Sequence, residues 1–113
     1  MTIDDLVAYG ANTSEGLQRC LNKEDFYLRM VKKVPADSNF QKLFDAVNTG
    51  DLNTAFEASH ALKGVVGNLA LSPLLTPVSE LTELLRAQKQ ADYSALLEAI
   101  RKGRDELELI CSK

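Results

Sequence analysis

The sequence has no tryptophan, a single histidine, two cysteines and three prolines. Each scarcity removes a class of function. With one histidine, His60, and with Cys20 and Cys111 at no metal-ligand spacing, a zinc site has almost nothing to be built from. In a reducing compartment the two thiols are expected free rather than bridged. No apolar run is long enough to span a bilayer, and Met1 opens a polar, acidic segment unlike a signal peptide. A cytoplasmic location without a membrane partner is therefore the expectation. The positive residues are scattered and the net charge is −3, which argues against a nucleic-acid surface. There is no glycine-rich phosphate loop, no second histidine and no nucleophile–base pair to place, so a stand-alone enzyme is a remote reading and ATP binding is not expected.

What is present points to helices. A chain of 113 residues with 45% hydrophobic content suits one domain, residues 1–113, around one core. Leu, Ala, Glu and Lys are common. Ile3, Leu6 and Val7 predict a short helix over about 2–9, stopped by Gly10. Thr13 is a candidate cap for a second short piece carrying Leu17, Cys20 and Leu21. Asn22 reads as the N-cap of a third helix with Phe26, Tyr27, Met30, Val31 and Val34 inward, closed by Pro35. Asp37 or Ser38 would cap a fourth, with Phe40, Leu43, Phe44 and Val47 inward and Gly50 ending it in the left-handed conformation.

Asp51 then caps a central helix over about 52–70. Ser72-Pro73 reads as N-cap and N1 of the next helix, whose Pro77 predicts distorted first turns or a true start at Thr76. A last helix starts near Asp92 and runs through Ile110, with Gly103 a soft point. Short connections favour antiparallel neighbours. The predicted architecture is all-α, an antiparallel four-helix bundle with short N-terminal helical additions.

The central helix carries the chemistry. Leu52, Ala55, Ala58, Ser59, Leu62, Val66, Leu69 and Ala70 share one stripe at 100° per residue. His60 lies off it with Asn53, Glu57, Gly64 and Gly67, and Phe56 and Lys63 sit on the border. An exposed imidazole has an ordinary pKa of about 6.5, so near pH 7 much of it is neutral and can attack phosphorus without a general base. A lysine one turn away would oppose protonation and offset the charge of an attached phosphoryl group. Each mid-helix glycine costs about 0.8–1 kcal/mol relative to alanine. Two of them beside the only histidine suggest a surface kept bare. Taken singly the features have ordinary readings: an incidental surface histidine, a solvated lysine, glycines that permit close helix packing. Together at this spacing they point to a phosphorylatable histidine.

His60-Ala61-Leu62-Lys63-Gly64, followed by Val65-Val66-Gly67-Asn68-Leu69, resembles the core pattern of the histidine-containing phosphotransfer (HPt) family of two-component phosphorelays. Asn48-Thr49-Gly50-Asp51 resembles the family's entry to its histidine helix. Asn22 to Leu28 resembles the preceding helix start, and Leu81 to Arg86 the next helix, so the resemblance covers nearly the whole chain. It implies that His60 is the phosphoacceptor, that Lys63 stabilises phosphoryl charge, and that Gly64 gives a docking receiver domain room. Gly67, Glu57 and Asn53 are expected at the docking surface, and the first short helix is expected to extend it. The implied partners are receiver domains of a hybrid sensor histidine kinase and a response regulator. No cofactor is expected on this chain, since Mg²⁺ would sit in the receiver's acidic pocket. A monomer is the default. Ala70 stands where the family usually has glycine, a departure read as minor, and Val65 and Val66 replace smaller residues. A helical adaptor of the same fold, binding without phosphotransfer, is the alternative.

Overall fold

Short polar side chains and glycines mark several helix ends. The computed structural model describes residues 1–88 and 91–113, among which there is no strand. Seven α-helices follow in order: α1 Ile3–Tyr9, α2 Thr13–Arg19, α3 Glu24–Lys33, α4 Asn39–Thr49, α5 Leu52–Asn68, α6 Ser72–Arg86 and α7 Ser94–Cys111. A single 3₁₀ turn, Val34–Ala36, carries Pro35 between α3 and α4. Gly10 and Gly50 take left-handed φ values of 111° and 79° and close α1 and α4 as expected. Asp51 accepts from the Thr54 amide at 3.1 Å and opens α5. The Thr54 hydroxyl, which donates to the same carboxylate at 2.7 Å, and the Thr54 amide together hold the Asp51 carboxyl below its usual pKa.

The helices α4 to α7 form the bundle. Along α5 and α6 the contacts run in opposite senses: Gly67 lies by Leu75, Ser59 by Thr82, and Asn53 by Gln88. That order is antiparallel. Between α4 and α7 the ring closes through guanidinium groups, Arg101 4.7 Å from the Phe44 ring centroid and Arg104 5.7 Å from that of Phe40. The core holds Tyr27, Phe40, Leu43, Leu62, Leu74, Leu81, Ile100 and Leu107, all essentially without solvent contact. Within it sits one polar pair. Thr82 donates to the Val78 carbonyl at 2.7 Å, and the Ser59 and Thr82 hydroxyls are 2.6 Å apart. Because a buried hydroxyl left unpaired costs about 1–3 kcal/mol, this pair fixes the register of α5 on α6.

Several boundaries differ from the sequence reading. The cap of α2 is Asn12, whose side chain accepts from Glu15, rather than Thr13. Asn22 does not cap α3. Leu21 and Asn22 are consecutive left-handed residues (φ 58° and 59°), which turns Leu21 outward to 77% exposure and passes the cap position to Lys23. Phe26, placed inward by periodicity, is exposed. The central helix ends at Asn68, not residue 70, because Ala70 is left-handed (φ 55°). Leu71 is the cap of α6, and α6 begins at Ser72 with Pro77 inside it and buried. Pro77 is the sixth residue of the helix, beyond the first four amides that lack intrahelical partners, so its missing N–H costs one intrahelical bond without ending the helix. Gly103 is no soft point but a buried close approach: a Cβ there would stand 3.0 Å from Leu74 Cδ2. Asp92 caps α7 from two residues outside, accepting from the Ser94 amide at 2.9 Å.

Candidate functional site

His60 stands on the exposed side of α5, and the predicted inward stripe is buried except for Leu52 at its first residue, which is partly exposed. Asn53, Glu57 and Gly64 are exposed with it, while Gly67, Phe56 and Lys63 are intermediate. A Cβ added to Gly64 would meet nothing within 4 Å, and one on Gly67 only an ordinary contact with Leu75 at 3.6 Å. Neither glycine is needed for close helix packing. Their effect is to leave the helix surface low beside the imidazole.

His60, Lys63, Gly64 and Gly67 line one open depression of about 400 Å³. The same depression takes in Glu15 and Arg19 from α2 and Ser72 and Leu75 from α6. Asn53 does not reach it. It lines a separate recess with Phe56, Leu85, Arg86 and Gln88, and its carbonyl accepts from Gln88 at 3.3 Å. Glu57 is exposed and lines neither.

The imidazole ring stacks on that of Phe56, one turn earlier, with centroids 5.7 Å apart and planes inclined by 17°. The Arg86 guanidinium also sits over the Phe56 ring, 5.0 Å from its centroid. Arg86 pairs with Glu83 at 3.4 Å, and Glu83 in turn pairs with the Lys63 ammonium at 3.8 Å. A chain of contacts thus leads from the imidazole through Phe56, Arg86 and Glu83 to Lys63. All of these charges are substantially exposed, so each link is weak and open to exchange.

Sequence reasoning missed Phe56, Glu83 and Arg86 as neighbours of the site, although Phe56 carried a signal in its spacing four residues before His60. The first short helix, α1, does not line the depression. The helix that reaches the depression is α2; α1 packs toward α7, where Tyr9 donates to the Gly103 carbonyl at 2.8 Å. The reason is the turn at Gly10, which sends α1 away and returns the chain at Asn12, whose amide donates to the Ala70 carbonyl at 2.9 Å.

His60, Lys63 and Gly64 thus share one open face on the second helix of the four-helix bundle. The Hpt domain family model matches residues 34–110, from the 3₁₀ turn to the last turn of α7. The chain belongs to the Hpt domain family. Hpt domains are histidine phosphotransfer modules of phosphorelays that work with receiver domains, and they are not independent catalysts. The match takes in the whole bundle and leaves α1, α2 and α3 outside it, so the resemblance at residues 22–28 lies beyond the matched range. Comparison with curated proteins and with solved structures gave no match. Among the described residues no cluster of His, Cys, Asp and Glu could hold a metal ion, and no helix is long and apolar enough to cross a membrane.

Proposed function

We propose that this Hpt domain is a phosphorelay intermediate in which His60 accepts a phosphoryl group from one receiver-domain aspartate and passes it to another. The observation that carries the reading is the open depression shared by His60, Lys63 and Gly64. In the forward step the lone pair of an imidazole nitrogen forms the N–P bond as the P–O bond to the aspartate breaks. The electron pair leaves with the carboxylate. The proton on the second ring nitrogen stays in place, so no base is required on this chain. Lys63, released from Glu83, balances phosphoryl charge, and Gly64 leaves room for the in-line approach. Mg²⁺ belongs to the receiver. Residues 1–113 act as one monomeric, cytoplasmic domain that binds no ATP, and the partners are receivers of a hybrid sensor kinase and a response regulator.

The test is phosphate acceptance and release. The protein is treated with a small phosphoramidate donor, followed by intact mass, and then mixed with Mg²⁺-loaded receiver domains. The expected result is an acid-labile, base-stable adduct that is absent from His60→Gln and drains into a receiver. His60→Gln should keep the helical signal of the wild type, because the side chain is exposed. If no His60-dependent adduct forms, the adaptor reading replaces this one.

A further inference from the structure

We propose that α2 is a specificity wall of the His60 face, and that Arg19 is a docking residue for the acidic rim of the receiver domain that exchanges phosphate with His60. The inference rests on the phosphorelay reading above and adds the residue that selects the partner. It starts from a mismatch. The shared family pattern begins at residue 34, yet a helix well before it supplies Glu15 and Arg19 to the depression that contains His60, Lys63 and Gly64.

That placement is built. The Asn12 amide, at the start of α2, donates to the Ala70 carbonyl at 2.9 Å. The Tyr27 hydroxyl of α3 donates to the Leu69 carbonyl, also at 2.9 Å, and the tyrosine is fully buried. On Gly16 of α2 a Cβ would lie 2.6 Å from the Tyr27 ring, so only a glycine lets α2 settle there. Three contacts therefore seat α2 and α3 against the C-terminal end of the histidine helix.

Charge decides which occupant suits this wall. The depression presents two cations from two different helices, Arg19 and Lys63, against the single carboxylate of Glu15, with Gly64 and Gly67 in its lining. An aspartyl phosphate set among carboxylates is the complementary surface. Arg19 is available to it: its present partner, Glu15, lies one turn earlier at 3.1 Å, and both side chains are about half exposed (50% and 47%). Such exposed pairs exchange readily. A cation on the rim of an interface acts mainly on the association rate and its salt dependence, and so on which partner is served first.

The experiment compares wild type, Arg19→Glu, Arg19→Lys and Lys102→Glu, the last an exposed cation on α7 whose reversal gives the same net charge. Each is phosphorylated with the small phosphoramidate donor, and separately by Mg²⁺- and acetyl-phosphate-charged receiver domains from a panel. For the receiver that serves wild type fastest, Arg19→Glu should lower kcat/KM roughly tenfold and flatten its salt dependence. Arg19→Lys should recover most of the rate, and Lys102→Glu should match wild type. All four should react equally with the small donor. If Arg19→Glu matches wild type with every receiver, the wall is refuted while the relay stands. Equal losses with the small donor and the receiver would also refute it, because the effect would then lie on His60 itself. A wild type that forms no His60 adduct fails at the earlier step, and both readings fall together.

Discussion

Adding one methyl group at Gly16 tests whether α2 is seated on Tyr27. Helix propensity alone makes Gly16→Ala stabilising, by about 0.8–1 kcal/mol in a helix interior. The structure predicts the opposite sign. The new carbon would lie 2.6–2.7 Å from three atoms of the Tyr27 ring and hydroxyl, so something must move by roughly an ångström. Tyr27 is fully buried and its hydroxyl is tied to the Leu69 carbonyl, so the ring has nowhere to go. Overpacking of this kind costs about 1–3 kcal/mol, and loss of the hydroxyl bond about 1 more. After the propensity gain is subtracted, the net loss is about 1–3 kcal/mol. For a chain of this size that lowers Tm by about 4–12 °C. Urea and thermal unfolding followed by far-UV circular dichroism measure it. The same substitution in a Tyr27→Leu background supplies the control, since there the propensity gain should reappear. A Gly16→Ala protein more stable than wild type would sink the reasoning, and with it the claim that α2 is held in place.

Gly64→Ala should raise stability by about 0.8–1 kcal/mol, because its Cβ meets open space, yet slow transfer from a receiver; faster or unchanged transfer would remove Gly64 from the docking surface. Phe56→Leu should keep the fold but slow phosphate acceptance several-fold through loss of the stacked platform, with Phe56→Tyr restoring it; the check is the rate with the small donor together with the ring-current shift of the His60 protons in NMR. Stability should fall as the solution becomes alkaline. Burial pushes the Tyr27 phenol up to about 12, and burial together with the Glu106 charge raises Tyr9 as well, whereas an unfolded tyrosine titrates near pH 10. Above about pH 10 the unfolded chain therefore holds fewer protons than the folded one, and stability drops by up to about 1.4 kcal/mol per pH unit per tyrosine, having been fully present below that pH. Tyr27→Phe should flatten part of this slope in urea titrations across that range.

The bundle was legible because its determinants are local. Apolar residues recur at helical spacing, Gly50 and Asp51 punctuate the entry to α5, and the His60–Lys63–Gly64 set is contiguous, so one helix displays it whatever the rest does. The errors arose where distant parts of the chain meet. Asn22 is a sound cap by propensity, but the two left-handed residues that bring α3 back to Leu69 displace it. Pro77 reads as a break, yet it lies one turn into a helix packed on α5 and α7. The α2 wall was invisible for the same reason: Arg19 and His60 are forty-one residues apart (60 less 19), and tertiary contacts, among them the bonds to Leu69 and Ala70, bring them to one face.

Ala70 bears on the stability of the turn that follows α5. A residue with a Cβ at φ 55° is strained by about 1–2 kcal/mol, a cost that glycine would not carry. Here, however, Ala70 is 3% exposed, and burying its methyl returns up to about 0.8 kcal/mol. Alanine also spares about 0.4–1 kcal/mol of the chain entropy that glycine loses on folding. The strain is only partly offset, because a left-handed backbone costs alanine more than the entropy it spares. The turn after α5 is thus held in an unfavourable conformation, and the bonds from Asn12 and Tyr27 to the Ala70 and Leu69 carbonyls are made to that turn. A β-branched residue would cost more still there, because left-handed backbone is least open to it.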